Sequence, residues 1–252
     1  MNSRLPSAGM VLAAAAAAII VFTGLSGCSA PLKNDDGPTY FNVGRQGTIN
    51  GRQVAWTVSV PSSYRDGTAV PLILSLHYGG EPSTYYGGLF TDMLVTPALG
   101  KLGAIVLSPT CPVTLSWWDG IMEGVVLALI DSVRSEFTID PERMLVTGFS
   151  FGGIGTWYYA GMHPELFSAA IPIASQVSEE FLDYIGDIPL YVIHSTADAV
   201  LPAIEIMARV DTLEARGADV TLSLLNGISH YQTQSYVDPL ERAVAWVRER
   251  WR

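Results

Sequence analysis

The sequence predicts a single α/β domain built on a mainly parallel sheet, and three observations carry that prediction. Short apolar runs, most of them rich in β-branched residues, recur at residues 70–77, 104–108, 144–147, 169–174, 189–194 and 220–225, as buried strands do. Most are separated by stretches long enough for a helix, which implies right-handed crossovers between parallel neighbours. Of the 252 residues, 49% are hydrophobic and 10% aromatic, enough to fill one large core.

Taken in order, the domain is expected to span residues 39–252, behind a signal peptide at 1–27 and a tether at 28–38. Residues 52–60 (RQVAWTVSV) alternate in strand fashion and stop at Pro61, and a polar loop covers 62–69. The strand at 70–77 leads into an irregular helical connection at 85–99, then the strand at 104–108. Residues 123–137 form the best amphipathic helix, with Val126, Leu129, Ile130 and Val133 on one face. The turn signal Asp140-Pro141 precedes the strand at 144–147, a buried helix at 151–162 and the strand at 169–174. Helices at 203–215 and 236–250 flank the last strand. No internal repeat is visible, and the short stretch between 174 and 189 leaves no room for a large cap domain.

At the N-terminus, Arg4 supplies a positive charge and residues 11–22 an unbroken apolar run. A membrane-spanning helix needs about 20 apolar residues, so the run suits a signal-peptide core better than a span. Leu25-Ser26-Gly27-Cys28 follows and resembles the bacterial lipobox, in which the cysteine is lipidated; an ordinary cleaved signal is the alternative. The resemblance implies an extracytoplasmic protein anchored to the cell membrane through Cys28, with multiple acyl chains needed for stable anchoring. Cys111 is the only other cysteine. A Cys28–Cys111 disulfide is the competing reading, ranked lower because Cys28 lies in the tether.

Composition also excludes function classes. With 14 Lys and Arg against 24 Asp and Glu, a net charge of -10 and no basic stripe, the chain is not built to bind nucleic acid. Two cysteines without a histidine cluster do not make a zinc site, and no metal or cofactor is expected.

The chemistry gathers around Ser150, at the centre of Gly148-Phe149-Ser150-Phe151-Gly152. A serine between strand and helix can be forced into a strained backbone conformation, its hydroxyl pushed above the sheet edge, when glycines on either side let the two elements pass closely. A structural glycine-rich turn has the same pattern, so the partners must decide. Parallel sheets place ligands beyond the carboxyl ends of their strands. Three other strand ends carry candidates: His77-Tyr78-Gly79-Gly80, the loop from 195 to 202 holding Asp198, and Gly227-Ile228-Ser229-His230. A serine nucleophile needs a base, a carboxylate to orient that base, and donors for the developing oxyanion, and these loops offer all three. Asp183 and Asp187 compete with Asp198 but precede their strand, and Glu205 belongs to a helix. His77, His163 and His194 read as structural residues.

On these residues the chain resembles an α/β-hydrolase over 39–252. It is most similar to secreted esterases and proposed peptidases related to polyhydroxybutyrate depolymerases and feruloyl esterases. The carrying segments are LHYGG (76–80), the block at 140–175 with its elbow and the following His-Pro-Glu-Leu-Phe, VIHSTADAVLP (192–202) and GISH (227–230). The resemblance implies Ser150 as nucleophile, His230 as general base, Asp198 as orienting carboxylate and the Phe151 N–H as one oxyanion donor. The second donor is the N–H of Tyr78 or of Gly79, because Tyr78 stands where the family has a glycine; Ser195 likewise replaces a glycine before Asp198. Trp117 and Trp118 form either a wall of the substrate pocket or a cover for the sheet. The function expected is hydrolysis of carboxylic esters, small or at a polymer end, through an acyl-enzyme. A serine peptidase and a noncatalytic surface binding module are the alternatives. Oligomeric state and the identity of the acyl and alcohol groups are not legible.

Overall fold

A computed structural model describes residues 37–252. The expected signal peptide, Cys28 and all but the end of the expected tether lie outside the described residues. Eight strands form one sheet in the order β1-β2-β4-β3-β5-β6-β7-β8. They are β1 (Tyr40–Ile49), β2 (Arg52–Pro61), β3 (Val70–Leu76), β4 (Ile105–Pro109), β5 (Ile139–Phe149), β6 (Ala169–Ile173), β7 (Leu190–Ser195) and β8 (Val220–Leu225). β1 and β2 are an antiparallel hairpin, β2 meets β4 antiparallel, and β3 to β8 pair in parallel. The helices are α1 (Tyr86–Phe90), α2 (Thr96–Leu99), α3 (Gly120–Glu136), α4 (Phe151–Met162), α5 (Glu179–Leu182), α6 (Ala203–Ala215), α7 (Val237–Glu241) and α8 (Ala243–Arg250).

The period of two along each strand sorts side chains between two apolar layers. Leu72, Leu74 and Leu76 of β3 face a core closed by Val126, Leu129 and Val133 of α3 and Ile206 and Val210 of α6. Ile73, with Leu145 of β5 and Ile193 of β7, faces the opposite core, closed by Leu94, Leu99, Leu240 and Val247. Fully burying each such side chain contributes about 1.5–3 kcal/mol before chain entropy is subtracted. Both layers hold the sheet rigid beneath the loops that carry chemistry.

Four local differences separate the structure from expectation. β1 was not foreseen, because Asn42, Gly44, Arg45, Gln46 and Gly47 interrupt any apolar alternation. Two of its polar side chains find distant partners instead: Asn42 Nδ2 donates to Asp92 at 2.7 Å, with its Oδ1 left buried without a partner among the described residues, and Arg45 Nη2 donates to Glu136 at 2.7 Å. The hairpin turn Asn50-Gly51 takes positive φ at both residues (51° and 77°), the conformation that matches strand twist. β5 starts before Asp140-Pro141, yet the turn signal acts there: Ile139 pairs with Val70 and Met144 with Leu72, so residues 140–143 bulge out of register, pinned by an Arg143–Asp140 contact of 2.6 Å. α3 starts at Gly120, where Asp119 accepts the Ile121 N–H at 2.8 Å. The expected final helix is two, α7 and α8, led by a tight turn at Thr233–Tyr236.

The strand order fixes where a ligand can sit. The chain leaves β3 toward β4 but leaves β5 toward β6, so their outgoing loops diverge from adjacent strands. That divergence opens a crevice at the carboxyl ends of β3 and β5. Between β6 and β7 only the four-residue α5 intervenes, and no cap covers the crevice from there.

Candidate active site

Ser150 stands between β5 and α4 with φ 55° and ψ −115°, a conformation that side-chain-bearing residues rarely adopt. The flanking glycines are what permit it. A Cβ on Gly152 would strike the Leu76 carbonyl oxygen, and one on Gly148 would lie 2.7 Å from that same oxygen and against the Gly152 backbone. The turn is held by Ser150 N–H donating to Ile173 O at 2.9 Å and by Ile154 N–H donating to Ser150 O at 2.9 Å. As the first residue of α4, Phe151 has no carbonyl within the helix to receive its N–H.

Three side chains from three strand ends meet here. Ser150 Oγ lies 2.8 Å from His230 Nε2, and His230 Nδ1 lies 2.6 Å from Asp198 Oδ2. A carboxylate only accepts, so His230 carries its proton on Nδ1 and leaves the Nε2 lone pair for the Ser150 hydroxyl to donate into. Asp198 is fixed in turn: its Oδ1 accepts the N–H groups of Val200 at 2.9 Å and Leu201 at 2.8 Å, while the buried carboxylate reaches His230 with the other oxygen. Ser195, despite replacing the expected glycine, fits this loop, its Oγ accepting the Ala197 N–H at 3.2 Å.

The 77–80 loop arrives from β3. His77 Nδ1 donates to Tyr78 O at 2.7 Å, and Nε2 accepts the Cys111 N–H at 2.9 Å. Holding the Tyr78 carbonyl on the His77 ring turns the N–H of the same peptide unit, that of Gly79, the opposite way, since the bond is trans. Tyr78 packs edge-on against Phe90 and Phe149, so an aromatic ring occupies the glycine's place without blocking the crevice. The crevice is a cavity of about 310 Å³ lined by Tyr78, Gly79, Phe149, Ser150, Phe151, His230, Tyr231 and Thr233.

Two site expectations need separate accounts. Trp117 is corrected as a pocket wall: it is 0% exposed and its indole N–H donates to His77 O at 3.1 Å, so it is core that props the 77–80 loop. Trp118 is half-buried and packs on Phe151 at 5.1 Å, outside the cavity lining. Conversely, Phe149, Tyr231 and Thr233 line the cavity and were not foreseen. Adjacency to Ser150 and His230 was their only signal. His163 binds Glu123 at 2.8 Å, and Asp183 pairs with Arg216 at 3.0 Å, each committed elsewhere. His194 donates from Nε2 to Leu201 O at 2.8 Å, bracing the Asp198 loop from behind.

Burial lowers the His77 pKa from 6.5 to about 4, opposed in part by its bond to the Tyr78 carbonyl. The folded state therefore resists a proton that the unfolded chain accepts. Its contribution to stability is complete above about pH 6.5 and is lost as pH falls toward about 4, a loss of up to about 3 kcal/mol. Urea unfolding across that range is expected to show a shallower acid slope in His77→Gln than in the wild type. Equal slopes would mean that His77 is not the group responsible.

Comparison with known proteins places this architecture. Residues 126–191 match the model of the prolyl oligopeptidase family, a segment that contains Ser150 but neither Asp198 nor His230. Acetylxylan esterase A of Emericella nidulans is 27% identical over 138 residues, 50% of this chain and 43% of that protein. The chain spans about half the length, or less, of the curated relatives it matches. Among solved structures, a thermostable esterase superposes with a TM-score of 0.66 at 20% identity, covering 91% of this chain and 75% of that one. An S-formylglutathione hydrolase of Staphylococcus aureus superposes with a TM-score of 0.68 at 16% identity, covering 84% and 97%. The fold is the α/β-hydrolase fold.

Proposed function

We propose that this protein is a serine hydrolase that cleaves carboxylic esters through an acyl-enzyme. The observation that carries the reading is the continuous hydrogen-bond line from Ser150 Oγ through His230 to Asp198, at 2.8 and 2.6 Å, starting from a strained serine. His230 Nε2 takes the Ser150 proton as Oγ attacks the ester carbonyl. The oxyanion is held by the N–H of Phe151 and, because the Tyr78 carbonyl is tied to His77, by the N–H of Gly79 rather than that of Tyr78. His230 then returns the proton to the leaving alcohol as the C–O bond breaks. Water, deprotonated by the same nitrogen, attacks the acyl-serine, and the acid departs as Ser150 recovers its proton.

Esters are favoured over amides by the curated relatives named as esterases, and the uncapped cavity suits a small ester or a polymer end. The prolyl oligopeptidase match over 126–191 supports a second reading, cleavage of peptides by the same three side chains. A fluorophosphonate probe is expected to label the wild type and not Ser150→Ala. Failure to label folded wild-type protein would favour a noncatalytic binding module. Hydrolysis of a peptide library in the absence of ester turnover would favour the peptidase.

The site is proposed to work outside the cytoplasm, on a membrane anchor at Cys28, on the strength of the segment Leu25-Ser26-Gly27-Cys28. Labelled palmitate supplied to producing cells is expected in the protein and absent from Cys28→Ser; label in both would remove the anchor.

A further inference from the structure

A second cavity, of about 390 Å³, is bordered by a later part of the loop that leaves β3. It is lined by Val54, Ala55, Pro82, Pro112, Leu115, Met122 and Val125, with Arg52, Gln53, Ser83, Thr84 and Thr110 completing the lining. None of these residues borders the cavity at Ser150. Its volume is within the range of small-molecule sites, and its mix is theirs too: mostly apolar walls and a few polar groups.

Arg52 gives this cavity its chemical character. The chain carries a net charge of -10, and half of its described cations are paired with carboxylates: Arg45 with Glu136, Lys101 with Glu241, Arg143 with Asp140, Arg209 with Glu179, Arg216 with Asp183 and Arg250 with Asp219. Arg52 is exposed at the start of β2 and has no carboxylate partner among the described residues. No acidic side chain lines the cavity, and beside Arg52 the hydroxyls of Ser83 and Thr84 can donate a hydrogen bond, whereas Gln53 donates to Thr48 and Thr110 to the Thr84 carbonyl. A guanidinium without a carboxylate partner among the described residues, on the rim of a mostly apolar lining, matches a monoanion with a hydrocarbon body. Its planar fork matches a carboxylate in particular.

We propose that this cavity is a binding site for a small amphiphilic carboxylic acid, its carboxylate on Arg52 and its hydrocarbon part against Val54, Leu115, Met122 and Val125. The site is distinct from the one that holds Ser150 and stands whether or not the protein is a hydrolase.

Ligand-observed NMR with hexanoate, hexan-1-ol and hexylamine tests it on the intact protein. Hexanoate is expected to bind about tenfold or more tightly than either control, the advantage of one charge-assisted contact. Arg52→Gln is expected to remove that advantage, and Ser83→Trp, which obstructs the mouth, to weaken binding of hexanoate and hexanol together. Thr233→Trp obstructs the Ser150 cavity instead and is expected to leave hexanoate binding unchanged. Equal binding of the three probes, an undiminished hexanoate affinity in Arg52→Gln or in Ser83→Trp, or its loss in Thr233→Trp would each overturn the proposal.

Discussion

Ser150→Ala is expected to lower kcat/KM for p-nitrophenyl butyrate by about 10⁴–10⁶-fold while the protein stays folded. The magnitude follows from what one oxygen atom does. Without Oγ no acyl-enzyme can form, His230 Nε2 has no hydroxyl to deprotonate, and only binding and oxyanion stabilisation remain to assist direct attack by water. The fold has little reason to change. The β5–α4 turn is held by backbone bonds, from Ser150 N–H to Ile173 O and from Ile154 N–H to Ser150 O, and alanine keeps both. The strained φ of 55° is common to the two residues, so the strain is retained rather than relieved. Circular dichroism and urea unfolding should therefore match the wild type to within about 1 kcal/mol. Turnover within tenfold of wild type, in a variant shown to be folded, would remove Ser150 from the mechanism.

The line from Ser150 to Asp198 was legible because its parts obey simple local rules. Glycines two before and two after a serine, a strand on one side and a helix on the other, require a turn of one kind. Three further strand ends carried a glycine-rich loop, a carboxylate and a histidine, and a parallel sheet brings such ends to one edge. Less legible were features set by distant contacts. Trp117 was undecided between pocket and core because nothing local shows that its indole N–H will meet His77 O across the fold. β1 was invisible because Asn42 and Arg45 find their partners, Asp92 and Glu136, far along the chain. Tyr78 looked like a defect in the oxyanion loop, and its ring finds room only because Phe90 and Phe149 receive it. The rule in each case is that a polar or bulky residue breaks a local pattern without cost when tertiary structure supplies its partner.

Asp198→Asn is expected to cost about 10⁴-fold in kcat while leaving stability nearly unchanged, and that division separates a positioning role from a structural one. The Val200 and Leu201 N–H groups both point at Oδ1, at 2.9 and 2.8 Å, so the asparagine must keep its carbonyl oxygen there. Turning the amide over would face NH₂ against two N–H donors, leaving both without an acceptor at about 1–3 kcal/mol each. The NH₂ group therefore replaces Oδ2 and donates toward His230 Nδ1. An imidazole that accepts at Nδ1 carries its proton on Nε2, the atom 2.8 Å from Ser150 Oγ, and so presents a donor where the reaction needs an acceptor. Catalysis falls through the tautomer with every backbone bond intact. Asp198→Ala gives the contrast: it strips the acceptor from Val200 and Leu201 as well, and should lose stability together with activity. Initial rates on p-nitrophenyl butyrate and urea midpoints for both variants decide the matter. An asparagine variant that keeps more than about a tenth of the wild-type kcat, or that loses as much stability as the alanine variant, would show that Asp198 holds up its loop and does not set the proton on His230.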